Sequence, residues 1–249
     1  MKAISCLLLL LYPFFTTGQD AAVLLKEAEK LETAPAESAA LEKYKEVLKI
    51  APNDVYALSK CSELCSRIGN RQADAKTRDN YYAWAKNYAS AALKINSNSS
   101  EANCAMAIAL GRMALTKSSK EKLNSAKLIK QYVDIALQQD AANYKAWHVL
   151  GKWHYELSIL NMLERTIVKV FFGGLPKASL QEAVNAYEQA RKLSPGFVMN
   201  YLEQAKAYKA AGEKEKAIAA LNTMLTLPNR TEDDAPVKEA GKKLLKQWL

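Results

Sequence analysis

The sequence predicts an all-α fold, an α-solenoid of about five stacked helix pairs finished by a C-terminal capping helix. Three observations carry this. Pro and Gly number only 7 and 9 in 249 residues, and 49% of the chain is apolar against 24% charged. Alanine, leucine, lysine and glutamate dominate, the composition of an all-helical chain. Between Tyr144 and Gly196 lies a complete two-helix pattern: Trp147, Leu150 and Gly151 open it, and Ala183, Tyr187, Ala190 and Pro195 close it. The closing half of that pattern then returns along the chain.

The pattern is the skeleton of a tetratricopeptide repeat, W-x2-L-G followed by A-x3-aromatic-x2-A-x4-P. Gly151 and the alanines let two antiparallel helices approach closely, and Trp147 and Tyr187 fill the space between them. Pro195 cannot continue a helix and ends the second one.

Taken in order, Met1 to Gln19 stands apart from the repeats. Lys2 gives a positive start, Ile4 to Phe15 an apolar run, and Thr16-Thr17-Gly18 a small-residue exit. These are the three parts of a secretory signal peptide cleaved near Gly18 or Gln19. The run is too short for a span, which takes roughly 20 apolar residues. The expected organisation is therefore a leader over 1–19 and a helical repeat domain over 20–249, secreted or periplasmic.

The first pair runs from about Ala21 to Ile50 and closes with Ala40, Tyr44, Val47 and Pro52. A second opens with Leu58, Cys61, Ser62 and Cys65, crosses an expanded polar connection from Gly69 to Asn80, and closes with Ala85, Ala89, Ala92 and Ser97. A third opens with Asn103, Met106, Ala107 and Leu110. It crosses a lysine- and serine-rich junction, Thr116 to Ser125, and closes with Ile129, Val133, Ala136 and Ala141. The fifth opens with Tyr201, Ala205 and Tyr208 and closes with Ala217, Leu221, Met224 and Pro228. Closing positions at 52, 97, 141, 195 and about 229 are 45, 44, 54 and 34 residues apart. Only the last interval equals the standard repeat of about 34 residues. From Asp233 to Leu249 a terminal helix with Pro236 in its first turn would dock Leu244, Leu245, Trp248 and Leu249 on the last pair. That is how a repeat array is capped.

The fourth pair carries an insertion. Gly151 and Ala183 lie 32 residues apart where the plain pattern has 12, so about 20 have been added. The added stretch, Ile159 to Ala178, places Ile159, Leu160, Leu163, Ile167, Val170 and Phe171 at helical spacing, with Asn161, Glu164, Arg165 and Lys169 on the other face. It predicts a prolonged first helix or a short extra one, stopped by Gly173, Gly174 and Pro176.

Over Trp147 to Leu227 the chain resembles the regulator of microtubule dynamics family. The likeness is carried by WHVLGKWHYELS, by FFGGLPKASLQEAVNAYEQARKLSPGF, and by Asn200-Tyr201-Leu202 with Ala205-Lys206-Ala207-Tyr208. The resemblance implies an α-helical repeat domain linked with microtubules and organelle membranes and able to hold lipid, with no catalytic residues.

The residues themselves point away from catalysis. There is no GxSxG, HExxH or Walker loop. His148 and His154, six apart, turn to different sides of a helix, and Gly173-Gly174 reads as a helix stop. Cys61, Cys65 and Cys104 are odd in number and read as buried apolar cysteines. Asp233-Asp234 reads as a solvated turn. No metal site and no cofactor is expected. Asn98-Ser99-Ser100 and Asn229-Arg230-Thr231 are acceptors only in a cell that glycosylates them.

Binding remains. In such arrays the first helix of each pair lines the concave face, which here would present Lys145, His148, Lys152 and Tyr155 from the fourth pair and Met199, Leu202, Lys206 and Lys209 from the fifth. The third would add Cys104, Ile108 and Gly111. Lysine, histidine and tyrosine among apolar residues suit a protein or peptide partner of acidic character. The net charge of +9, or +8 without Lys2, agrees. No nucleic-acid module accompanies it. Two readings follow: a non-enzymatic scaffold gripping a partner in its groove, and a holder of a phospholipid or acyl chain walled by Ile159, Leu163, Ile167, Val170 and Phe171. A microtubule-associated role rests on the resemblance alone, and it conflicts with the export leader.

Overall fold

The computed structural model describes residues 17–115, 119–173 and 177–249, and all its regular structure there is α-helical. The helices are α1 (Thr17–Glu32), α2 (Glu37–Ile50), α3 (Val55–Asn70), α4 (Ala75–Ile95), α5 (Ser100–Ala114) and α6 (Ser119–Gln139). After them come α7 (Tyr144–Ser158), α8 (Met162–Phe172), α9 (Leu180–Leu193), α10 (Val198–Ala210), α11 (Lys214–Thr226) and α12 (Asp234–Trp248). Five pairs are thus α1–α2, α3–α4, α5–α6, α7–α9 and α10–α11. Each pair packs on the next, and α12 lies on α10 and α11. This is the predicted solenoid.

The closing positions are where the pairs meet. Ala40, Tyr44 and Val47, Ala85, Ala89 and Ala92, Val133 and Ala136, Ala183, Tyr187 and Ala190, and Ala217, Leu221 and Met224 are all fully buried. Such helix pairs cannot bury these faces alone, so stacking is what stabilises each of them. Side-chain caps fix where helices begin: Asp54, Asp74, Ser99, Asn143, Asn161 and Ser179 each accept the N–H three residues on, at 2.7–3.1 Å. An acceptor there satisfies an N–H that has no partner within the helix.

The long intervals are not loops. Of the expected connection Gly69 to Asn80, only Arg71 to Asp74 lies between helices; Asp74 caps and α4 starts at Ala75. Likewise α6 is already helical from Ser119, while 116–118 lie outside the described residues. The extra residues lengthen α4 and α6 to 21 residues each, against 14 in α2 and α9 and 13 in α11. Lysine, glutamine and glutamate are good helix formers, so a polar stretch with an N-cap before it extends a helix.

Other expectations need correcting at single residues. Trp147 is only half-buried, its Nε1–H donating to Ala141 O at 2.8 Å, while Trp153 is the deeper indole. Leu249 stays exposed; Val237 and Gly241 dock α12 together with Leu244, Leu245 and Trp248. Gly174 and Pro176 lie outside the described residues, and Gly173 ends α8 at φ 71, in the left-handed region that favours glycine.

Gly151 shows the close approach most directly. A Cβ there would lie 2.8 Å from the ring of Tyr187, which is fully buried and cannot retreat. At Gly111 a Cβ would meet only Ile129, at 3.9 Å. Alanine in a helix interior gains about 1 kcal/mol over glycine, whereas overpacking costs about 1–3 kcal/mol. Denaturant titration should therefore find Gly151→Ala destabilised and Gly111→Ala stabilised by up to about 1 kcal/mol. Equal effects at both would contradict the packing described.

Candidate functional site

The first helices α3, α5, α7 and α10 follow one another along one face, and charged side chains cross it. Lys145 on α7 pairs with Glu63 on α3, joining the fourth pair to the second. Lys152 on α7 reaches Glu203 on α10 at 2.7 Å and Glu156 at 2.8 Å, and Lys206 meets the other oxygen of Glu203 at 2.7 Å. His148 faces Asn200 at 3.0 Å and stacks edge-on against Phe197. Because the Asn200 amide nitrogen donates to Tyr187 O at 2.9 Å, its oxygen is the acceptor and His148 Nδ1 carries the proton. Burial lowers the His148 pKa, so the ring is neutral at pH 7.

The predicted groove lysines are thus brought to one face, each with a partner. Lys209 lies over the ring of Trp248 and Lys152 over Tyr155. Met199, Leu202 and Cys104 instead turn into the packing between helices, with Leu202 and Cys104 buried there. Sequence reasoning placed the cations and missed their acids, Glu63 and Glu203. Both sit on first helices, at positions that read as ordinary solvated acids until the groove curves across them.

A larger network closes the face at one end. Glu32 at the end of α1 takes Lys60 at 3.0 Å and Arg67 at 2.9 Å. Glu37, fully buried at the start of α2, takes Arg71 at 2.6 Å, and Arg71 continues to Asp233 at 2.9 Å and Glu232 at 3.2 Å. Glu232 also accepts the backbone N–H of Glu37 at 2.9 Å. An acid from the turn before α12 therefore caps α2, whose own preceding residue, Ala36, has no side chain able to do so. Asp233-Asp234 is not a solvated turn: Asp233 is tied to Arg71, and buried Asp234 accepts the N–H groups of Arg230 and Thr231. The two ends of the array meet.

Within this face lies a cleft of about 280 Å³, lined by Tyr56, Ser59, Lys60, Glu63, Asn143, Tyr144 and Lys145 among others. It offers hydroxyls, an amide and both signs of charge, with no grouping among the described residues of three or more His, Cys, Asp or Glu able to hold a metal. Cys61 and Cys65 are buried, and burial pushes both thiols up to about 12, far from reactive.

The predicted apolar wall is arranged differently from expectation. The insertion forms a separate helix, α8, behind a break at Ile159 to Asn161. The cavity beneath it, about 320 Å³, is lined by Leu157, Leu160, Arg165, Val168 and Leu180 among others, not by the predicted set. Ile159, Leu163, Ile167 and Val170 are exposed, and Phe171 lies half-buried against Lys127.

This architecture is that of a tetratricopeptide-type helical scaffold. It is similar to the crystal structure of a thermophilic TPR protein of Thermus thermophilus, with a TM-score of 0.63 and 14% identity over 91% of this chain and 99% of that one. The sequence model for regulator of microtubule dynamics protein 1-3 matches residues 24–249, and the chain belongs to this family. Relatives include regulator of microtubule dynamics protein 3 of Xenopus laevis, 28% identical over 65% of this chain and 35% of its own length. Protein 2 of Homo sapiens is 30% identical over 56% and 34%, and protein 1 of Caenorhabditis elegans 26% identical over 75% and 80%. The chain spans about a third of the first two.

The pH dependence of the fold follows from the paired acids. Burial pushes the Glu203 carboxyl up, but Lys152 and Lys206 more than reverse this and hold it at about 2, below the ordinary 4.5. Glu32 is likewise raised by burial and brought to about 2 by Lys60, Arg67 and Lys145. With folded pKa values below unfolded ones, these acids stabilise fully above the ordinary value of 4.5, and the contribution is lost as pH falls from there through about 2. Denaturant midpoints measured across that window should fall steeply for the native chain and less so for Glu203→Gln. At neutral pH the variant should already be weaker by about 1–3 kcal/mol, the low end because Lys152 and Lys206 keep contact with solvent. A parallel pH profile for both would contradict the pairing.

Proposed function

We propose that this chain is a non-enzymatic scaffold that binds a protein or peptide segment along its concave face. The observation that carries the reading is the Lys152–Glu203–Lys206 cluster. Two cations share a single carboxylate there, and they remain 41% and 31% exposed while that carboxylate is only 8% exposed. An acidic side chain from a partner adds a second acceptor without uncovering a buried charge. The adjoining cleft beside Tyr144 and Lys145 supplies hydroxyl and amide partners for an extended backbone. The family membership and the fold support a binding role over a catalytic one.

The alternative, a holder of a phospholipid or acyl chain, is favoured by the cavity under α8, where Leu157, Leu160, Val168 and Leu180 meet Arg165. Its wall is that set, and not the outward-facing residues. Native mass spectrometry of the chain separates the two: a bound lipid lost on Val168→Asp supports a holder, and bare protein sets it aside. The relatives' names speak of microtubule dynamics, and a direct cytoskeletal role for this chain is a third reading. It requires the cytosol, whereas the leader over 1–19 supports export to a secreted or periplasmic location. The mass of the mature chain distinguishes them.

Photo-crosslinking tests the groove. A photoreactive residue replacing Tyr155, half-buried beneath Lys152, should trap a discrete partner, and one replacing Trp84, exposed on the second helix α4, should not. Capture from position 155 should fall several-fold when Lys152→Gln and Lys206→Gln are combined in a chain whose helical content is unchanged. Equal trapping from both positions would overturn the assignment of the groove.

A further inference from the structure

Among the described residues, the outward side of α8 gathers the most exposed large apolar side chains in one place. Met162, Leu163, Ile167 and Val170 are 85%, 71%, 46% and 80% exposed, and Ile159 just before the helix is 48% exposed. At 3.6 residues per turn, Met162, Thr166 and Val170 form one row and Leu163 and Ile167 the next, so the apolar side chains share one arc. Among the described side chains of this helix, only Val168 is buried. Exposing this arc to water is unfavourable, yet the helix is built to hold it there. Asn161 and Glu164 form a reciprocal capping box, and the Arg165 guanidinium donates to Ser158 O at 2.7 Å and Leu160 O at 3.0 Å. At the far end Lys127 donates to Phe171 O at 3.1 Å. The pose is specified from both ends.

The charges around the arc have one dominant sign. Lys169 is exposed on the same helix beside it, Lys177 is exposed just after it, and Lys127 and Lys130 stand on the neighbouring α6, over the rings of Phe171 and Trp153. Of the acids on α8 and α6, Glu164 closes its capping box, and Asp134 is bonded to Lys130 at 2.8 Å, a pair whose charges cancel, so the rim rests on Lys127, Lys169 and Lys177. We propose that α8 is an interfacial helix that seats this protein on an anionic lipid surface, with the apolar arc entering the acyl boundary and the lysines meeting the headgroups. An amphipathic helix of this kind needs only a shallow strip, roughly 5–10 Å deep, beside a basic rim. A stable protein interface takes roughly 20–30 residues a side, more than this 11-residue helix supplies with its four exposed apolar side chains and Ile159 before it. No described helix is long and apolar enough to cross a membrane, so contact through α8 would be peripheral.

The test reads α8 locally, because the apolar run at the start of the chain can enter bilayers by itself. An environment-sensitive dye is attached to Val170→Cys in the full chain carrying Cys6→Ser; Cys61, Cys65 and Cys104 are buried and do not compete. Vesicles of phosphatidylcholine with about one quarter phosphatidylserine should shift its emission to the blue. Pure phosphatidylcholine should do so far less, and raised salt should reverse much of the shift. Leu163→Asp with Ile167→Asp, both at exposed positions, should weaken partition about ten- to a hundred-fold, and Lys169→Glu with Lys177→Glu should weaken it several-fold. No shift with anionic vesicles, or a shift indifferent to the aspartates, would overturn the proposal. A blue shift without lipid that grows with protein concentration would overturn it too, and would assign the arc to a second copy of the chain.

Discussion

The carboxylate of Glu37 is the constraint around which the array is arranged. It is fully buried, it is met by Arg71 at 2.6 Å and by Arg67 at 3.5 Å, and through Arg71 it is joined to Asp233 and Glu232. Taking such a charge out of water costs several kcal/mol per ion, and what offsets it is the short Arg71 bond to one carboxylate oxygen, the other oxygen facing Arg67 as an ion pair without a hydrogen bond. Those partners come from the second pair and from the turn before the capping helix. A stacked repeat array is ordinarily a chain of nearest-neighbour contacts. Here the first and last units also touch, and closing so long a separation costs little more entropy than closing one half its length. The ends can then no longer fray independently.

Closure shapes the concave face. Lys145 reaching Glu63 and Lys152 reaching Glu203 are bonds between different pairs, so the face is crossed by ion pairs rather than lined by free cations. A partner that binds there competes with, or joins, internal acids, which favours selectivity over raw affinity. The insertion is placed apart from this. Its helix lines none of the cleft beside Tyr144 and Lys145 and leaves its apolar arc exposed, so one scaffold carries a charged face and a separate greasy feature.

Much of the fold was legible because the repeat pattern encodes local geometry. Alanine at 183 and 190 with tyrosine at 187 states how close two helices must come, and the same three-residue pattern elsewhere marks positions that are fully buried, except Ile129, which is half-buried. Capping residues such as Asp74 also carried a readable signal, three residues before the N–H they accept, and attention to it would have shown α4 beginning at Ala75 rather than after a loop. The site was less legible. Which acid meets Lys145 depends on how far the stack curves between α3 and α7, and curvature sums small rotations that no single repeat records. Asp233 looked solvated for the same reason, since its partner Arg71 lies 162 residues away. The insertion had a correct helical period, but periodicity gives an arc and not the side on which it lands.

Pulsed dipolar spectroscopy between spin labels at Ser38 on α2 and Glu239 on α12, both exposed, measures the closure directly. Clasped ends predict a single narrow, short distance distribution in the native chain, which lengthens and broadens in Arg71→Ala while helical content is retained. A broad distribution in the native chain, or one unchanged by the loss of Arg71, would contradict a closed array.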